Sequence, residues 1–219
     1  MKNPDAYNAI IFGSTGVLGS TLSFELAKKN INLILQGRSL DKLKELSNKI
    51  SKVKKPILFQ GDVTKKEFYE NLFKCISLKY KKIDLIVNLI GQFNGLKPLT
   101  HISHSEWDKF IEINISSFWR ILKELEPLIR KAEEPKLITV TNTDISIGKA
   151  YHNTFSICLS ARNAMFKTFM EENKNLSLRV VSIDMEQINQ GMSSTLRGNK
   201  KCISSDLQKF SDEIINKFL

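Results

Sequence analysis

A chain of 219 residues with 42% hydrophobic residues is long enough for one domain with a sizeable core. Its formal charge of +10 comes from scattered clusters such as Lys28-Lys29, Lys65-Lys66 and Lys200-Lys201, without interleaved aromatic residues, which argues against nucleic acid as a partner. Three cysteines (Cys75, Cys158, Cys202) and three histidines (His101, His104, His152) share no metal-ligand spacing, so neither a disulfide framework nor a metal site is expected.

The first element is the apolar run Ala9-Ile10-Ile11-Phe12, which reads as a buried parallel strand. Gly13-Ser14-Thr15-Gly16-Val17-Leu18-Gly19 then opens a helix over about 17–29. Glycines at these positions permit a sharp turn, close approach of backbone to a pyrophosphate, and tight helix–sheet packing. The N–H groups at the helix start, with the helix dipole, would face the phosphates. A second strand over 31–36 ends at Gly37-Arg38-Ser39, where Ser39 or Leu40 starts a helix burying Leu43, Leu46 and Ile50. A third strand, Ile57-Leu58-Phe59-Gln60, closes at Gly61-Asp62-Val63-Thr64, and a helix carrying Phe68, Leu72, Phe73 and Ile76 follows.

The fourth strand, over 83–87, ends in Asn88-Leu89-Ile90-Gly91. A long helix from about Ser103 or Ser105 to Arg130 would turn Trp107, Phe110, Asn114, Phe118 and Leu125 inward, with Pro127 kinking its end. Lys136–Thr141 is a fifth strand, 153–173 a second long helix, and 178–183 a sixth strand. Residues 184–202 read as irregular, and Ser204 or Ser205 caps a final amphipathic helix. Strands alternating with helices at this rhythm give an α/β architecture with a doubly wound parallel sheet. No linker or repeat divides it, so a single domain over 1–219 is expected. The N-terminus lacks the apolar region of a secretory signal, and no segment has the length of a membrane span. With reduced thiols, this points to a cytoplasmic protein.

In order and register, the glycine motif, Asp62-Val63, Asn88-Leu89-Ile90-Gly91 and Asn114 resemble the short-chain dehydrogenase/reductase family over nearly the whole chain. The resemblance implies a Rossmann-like sheet of six strands in the order 3-2-1-4-5-6 with helices on both faces. It also implies a dinucleotide held by Gly13, Ser14, Thr15, Gly16, Val17, Leu18, Gly19, Arg38, Ser39, Asp62, Val63, Asn88 and Gly91. The Gly-x-x-Gly-x-x-Gly spacing is similar to the family's extended or atypical branches, and Ile90 replaces a small residue beside the ribose. Arg38 and Ser39 stand where an acid would select NAD; a guanidinium and a hydroxyl suit a 2′-phosphate, so NADP is favoured over NAD.

The family's relay is a serine followed, thirteen residues on, by Tyr-x-x-x-Lys, with the lysine depressing the tyrosine pKa. The text Phe155-Ser156-Ile157-Cys158-Leu159-Ser160-Ala161 resembles that run. By this register Asn142, Phe155 and Leu159 replace serine, tyrosine and lysine, and Asn114 alone keeps its type. Phenylalanine has no proton to give and leucine cannot lower a pKa. Asp184-Met185-Glu186 also departs from the family's Pro-Gly.

Three readings follow. The first is a non-catalytic or regulatory NADP-binding protein. The second is an NADPH-dependent oxidoreductase of a small carbonyl or alcohol substrate, with a relay relocated to Tyr151 or His152 with Asn142. The third is a basic nucleic-acid-binding module. The substrate is not named by the residues. The family resemblance further implies a homodimer through the helices near 105–126 and 153–173.

Overall fold

The computed structural model describes residues 7–50, 54–184, 211, 212, 214 and 215. Six strands form one parallel sheet: β1 (Asn8–Phe12), β2 (Asn32–Gly37), β3 (Ile57–Gln60), β4 (Leu85–Asn88), β5 (Lys136–Thr141) and β6 (Arg179–Asp184). Their order is β3-β2-β1-β4-β5-β6. The expected doubly wound topology is therefore the observed one, with its order reversing between β1 and β4. Ligands of such sheets bind outside the carboxyl ends of the strands at that reversal.

The strands read as continuous apolar runs because both faces are covered. Along β1, Ala9 and Ile11 join one core with Leu22, Leu26, Leu43 and Ile50. Ile10 and Phe12 face the other, with Phe68, Leu72, Phe118 and Ile121. The two-residue side-chain period of a strand makes this division. The first core is covered by α1 (Val17–Lys28) and α2 (Leu40–Ile50), the second by α3 (Lys66–Ser77), α5 (Ser117–Ile129) and α7 (Asn153–Glu172). Ile214 and Ile215 also enter the first core.

The long central helix is not uniform. Ser103 caps α4 (His104–Ile111) in a reciprocal capping box with Glu106. The chain then widens into a π turn over Glu112–Ser116 before continuing as α5, with Pro127 in its last turn. This local widening, of a kind often found at functional sites, is centred on Asn114. Trp107 corrects the expected inward face: it is 39% exposed, while Phe110, Asn114, Phe118 and Leu125 are buried. A short helix, α6 (Thr143–Ser146), follows β5 and had no signature of its own in the sequence. The expected irregular segment after Asp184, including Met185-Glu186 and residues 187–202, and the cap at Ser204 or Ser205 lie outside the described residues. Among the described residues, no helix is long and apolar enough to cross a membrane, and no three His, Cys, Asp or Glu side chains cluster as a metal site.

Candidate functional site

A cleft of about 730 Å³ opens at the carboxyl ends of β1, β2, β3 and β4. Gly13, Thr15 and Gly16 line it from the first turn, Gly37 and Arg38 from the end of β2, and Asp62, Val63 and Thr64 from the end of β3. Leu89, Ile90, Gly91 and Gln92 form the wall after β4, and Lys109, Glu112 and Ile113 close it from the central helix.

Steric detail explains the glycines. Gly13 adopts φ +75°, a left-handed conformation that glycine takes without penalty. A Cβ on Gly19 would lie 2.3 Å from the Gly13 carbonyl oxygen and 2.7 Å from Ser14 Cα, so α1 docks on the turn only because that atom is missing. Gly16 is the N-cap of α1 and supplies no side-chain acceptor, and the first turn holds no acidic residue. First-turn N–H groups lack intrahelical partners, so this end can receive an anion. The residues present therefore fit a dinucleotide phosphate. Val17 and Leu18 belong to that turn, where their contribution would come from backbone, since neither side chain lines the cleft.

Ser14 and Asn88 serve the turn from inside the protein. Ser14 is fully buried, and its N–H and Oγ donate to the Gln36 carbonyl at 3.0 and 2.9 Å. Asn88 Oδ1 accepts from Ile90 N at 3.1 Å. Gln36, which sequence reasoning missed, joins three strand ends. Its Oε1 accepts from Gly13 N at 3.2 Å, and its Nε2 donates to the Gly61 carbonyl at 2.8 Å. A polar residue directly after the apolar run Leu33-Ile34-Leu35 of a buried strand was the available signal.

At the outer end, Arg38 and Lys42 both line the cleft. Ser39 does not: its Oγ accepts from Lys42 N at 3.4 Å at the start of α2. Lys42, which the sequence reading did not single out, stands on the cleft wall with Arg38. A lysine in the first turn of a helix, where dipole considerations favour an acid, was the missed clue. Asp62 Oδ1 accepts from Thr64 N and Thr64 Oγ1, both at 2.9 Å. The Thr64 bonds, aided by the Arg38 charge, hold the Asp62 carboxyl below the usual range.

Asn114 clamps the loop after β4. Its Oδ1 accepts from Gln92 N at 2.9 Å, and its Nδ2 donates to the carbonyls of Gln92 and Phe110 at 3.2 and 3.1 Å. Neither Asn114 nor the other positions singled out as equivalents of a relay are among the residues that line this cleft. Asn142 caps α6, its Oδ1 accepting from Ile145 N at 2.9 Å. Phe155 and Leu159 are buried with Ile145, against Phe93. The Phe93 and Phe155 rings meet edge to face at 5.2 Å. Tyr151 is 62% exposed at φ +66°, and its carbonyl accepts from Lys97 N. His152 is buried beside it, with Nδ1 2.9 Å from the Ala150 carbonyl.

A profile of short chain dehydrogenases matches residues 7–201. The chain belongs to the short-chain dehydrogenase/reductase family. Among relatives, an uncharacterized oxidoreductase of Staphylococcus epidermidis is 21% identical over 94% of this chain and 88% of its own length. The 17-beta-hydroxysteroid dehydrogenase type 3 of Rattus norvegicus is 28% identical over 96% of this chain and 67% of its own. Among solved structures, a short chain dehydrogenase from Salmonella enterica serovar Typhi superposes with TM-score 0.86 at 18% identity, covering 100% of this chain and 91% of that one. A short chain dehydrogenase from Escherichia coli, solved with NADPH, gives TM-score 0.85 at 19% identity over 99% and 92%.

Arg162, on α7, is 4% exposed and stacks 5.7 Å from the Phe118 ring centroid. Burial lowers its guanidinium to about 10, so it stays cationic at neutral pH. The same burial pushes the neighbouring Cys158 thiol up to about 12, leaving it an inert thiol.

Proposed function

We propose that this short-chain dehydrogenase/reductase protein binds NADP(H) in the cleft but does not use the family's Ser/Tyr/Lys relay, and so acts as a non-catalytic or regulatory member. The observation that carries the reading is a division of labour. The cleft residues suit a phosphorylated dinucleotide, whereas Asn142 is a helix cap and Phe155 and Leu159 are core. The nicotinamide of a bound cofactor would supply hydride chemistry, for which Asn142, Phe155 and Leu159 offer no proton relay.

In this reading Gly13, Thr15 and Gly16 let backbone approach the pyrophosphate, and the start of α1 receives its charge. Arg38 and Lys42 pair with the 2′-phosphate, since charge-assisted bonds to phosphate are strong. Asp62 and Val63 bound the adenine, and Gly91 the adjoining ribose. The related Escherichia coli protein solved with NADPH supports this choice over NAD. At position 155 a phenyl ring holds no transferable proton, and at 159 an alkyl chain offers neither charge nor hydrogen bonds. The exposed Tyr151 gives the relocated relay no support. The reading extends to one domain over 1–219 and to a homodimer through α4, α5 and α7, where Trp119, Ile157 and Met170 are exposed. Free thiols at Cys75 and Cys158 fit a reducing, cytoplasmic setting.

Calorimetric titration with NADP(H) and NAD, followed by NADPH-oxidation assays with small aldehydes and ketones, tests the proposal. NADP(H) should bind more tightly than NAD, and turnover should fall about 10²–10⁴-fold or more below that of a relay-bearing enzyme. Tyr151→Phe should change nothing. Robust NADPH oxidation that Tyr151→Phe abolishes would overturn the non-catalytic reading.

A further inference from the structure

A buried cation without a counter-charge costs stability, so its retention calls for a reason other than stability. Arg162 is such a group. Its guanidinium donates to Thr139 Oγ1 on β5 and to the Ile90 carbonyl at 3.4 Å, and its Nε has no hydrogen-bond partner. Among the described residues no carboxylate pairs with it. Its acceptors belong to a network that ends at the cleft wall. Thr139 Oγ1 in turn donates to the Asn88 carbonyl at 3.4 Å, and Asn88 Oδ1 accepts from Ile90 N at 3.1 Å. Ile90 is therefore held at its N–H by Asn88 and at its carbonyl by Arg162. Two residues on, Asn114 grips Gln92 in the same two-point manner.

The loop so pinned lies against the first turn. A Cβ on Gly13 would meet the Leu89 carbonyl carbon and oxygen at 3.3 Å and Ile90 N at 3.5 Å. The missing Cβ lets the loop lie this close to the turn, and because Leu89, Ile90, Gly91 and Gln92 line the cleft, a displacement of the loop would change the shape of the cleft.

We propose that Arg162 is a positioning residue that fixes the Asn88–Gln92 loop as one wall of the nucleotide cleft, acting from behind through the Ile90 carbonyl and Thr139. This rests on the nucleotide-binding reading of the cleft. The cation is retained for the geometry of the site and not for the stability of the fold.

Arg162→Met keeps much of the volume while removing charge and donors. Three measurements on the full chain separate the roles: thermal midpoint, amide hydrogen exchange at residues 89–92, and NADP affinity by calorimetry. The expected result is an unchanged or raised midpoint, since an apolar replacement for a buried charge is often neutral or stabilising. Exchange confined to the loop should quicken by about tenfold or more, and NADP affinity should fall by a similar factor, with partial recovery in Arg162→Lys. Unchanged loop exchange and affinity would overturn the proposal, as would a lowered midpoint with exchange quickened evenly through the sheet. If Arg162→Met does not fold, Thr139→Val removes the guanidinium's second anchor and is judged by the same criteria. If the unmodified protein binds no NADP(H), the nucleotide reading falls, and the loop-exchange measurement alone decides the role of Arg162.

Discussion

Replacing Gly19 with alanine places a methyl 2.3 Å from the Gly13 carbonyl oxygen, 2.7 Å from Ser14 Cα and 2.9 Å from Ser14 C. Restoring ordinary contact requires about 1 Å of movement, and overpacking of this kind costs about 1–3 kcal/mol. The obstacles are backbone atoms that cannot rotate away. They are anchored by the Ser14 N–H and Oγ on the Gln36 carbonyl and by Gly13 N on Gln36 Oε1. The upper end, about 3 kcal/mol, therefore applies, offset by about 1 kcal/mol of alanine's better helix propensity. A net loss of about 2 kcal/mol should lower Tm by about 4–8 °C in a domain of this size. Gly16→Ala is the control. Gly16 has φ −73° and ψ 170°, and its Cβ would sit 3.3 Å from the Gly13 oxygen. Its fold cost should stay within about 1 kcal/mol, the difference between glycine and alanine at an N-cap. That methyl enters the cleft, however, so NADP affinity should drop with little change in Tm. Thermal melts and calorimetric titration of both variants check the pair. A Gly19→Ala protein melting within about 1 °C of the unmodified one would refute the close-packing argument.

Arg38→Asp should weaken NADP about tenfold or more, with a smaller effect on NAD, because a charge-assisted bond becomes a repulsion; calorimetry at low and high salt should show the contrast shrinking with ionic strength. Leu159→Lys should destabilise by about 3–5 kcal/mol through an uncompensated buried charge, at a side chain only 3% exposed, whereas a stable variant that gains NADPH-dependent reduction would show position 159 facing the nicotinamide. The depressed Asp62 carboxyl, held by Thr64, stabilises the fold above its unfolded pKa of about 3.9 and loses that contribution as pH falls through the lower folded value. Asp62→Asn should accordingly be less stable at neutral pH and show a shallower decline in Tm below about pH 4.

The strands, the helix rhythm and the steric roles of Gly13 and Gly19 were legible in the chain because they rest on short-range causes, whereas the strand order came from the family resemblance. A buried parallel strand must be apolar throughout, an amphipathic helix repeats every three or four residues, and a left-handed turn selects glycine. Gly13, Thr15, Gly16, Arg38, Asp62, Val63 and Gly91, which the family resemblance assigned to the nucleotide, line the cleft because each follows the carboxyl end of a strand. What tertiary structure alone decided is which side chain at a strand end turns outward and which turns in. Ser39 bonds the start of α2 while Lys42 lines the cleft, and Gln36, buried at the cleft floor, ties three strand ends together. The π turn at Asn114 inserts Glu112 and Ile113 into the wall without any local signature. Arg162 reads in sequence as one more basic residue on a helix. Only packing from α7, β5 and the loop after β4 removes it from water and sets it behind Ile90, because contacts between residues 72 apart in the chain have no counterpart in local periodicity.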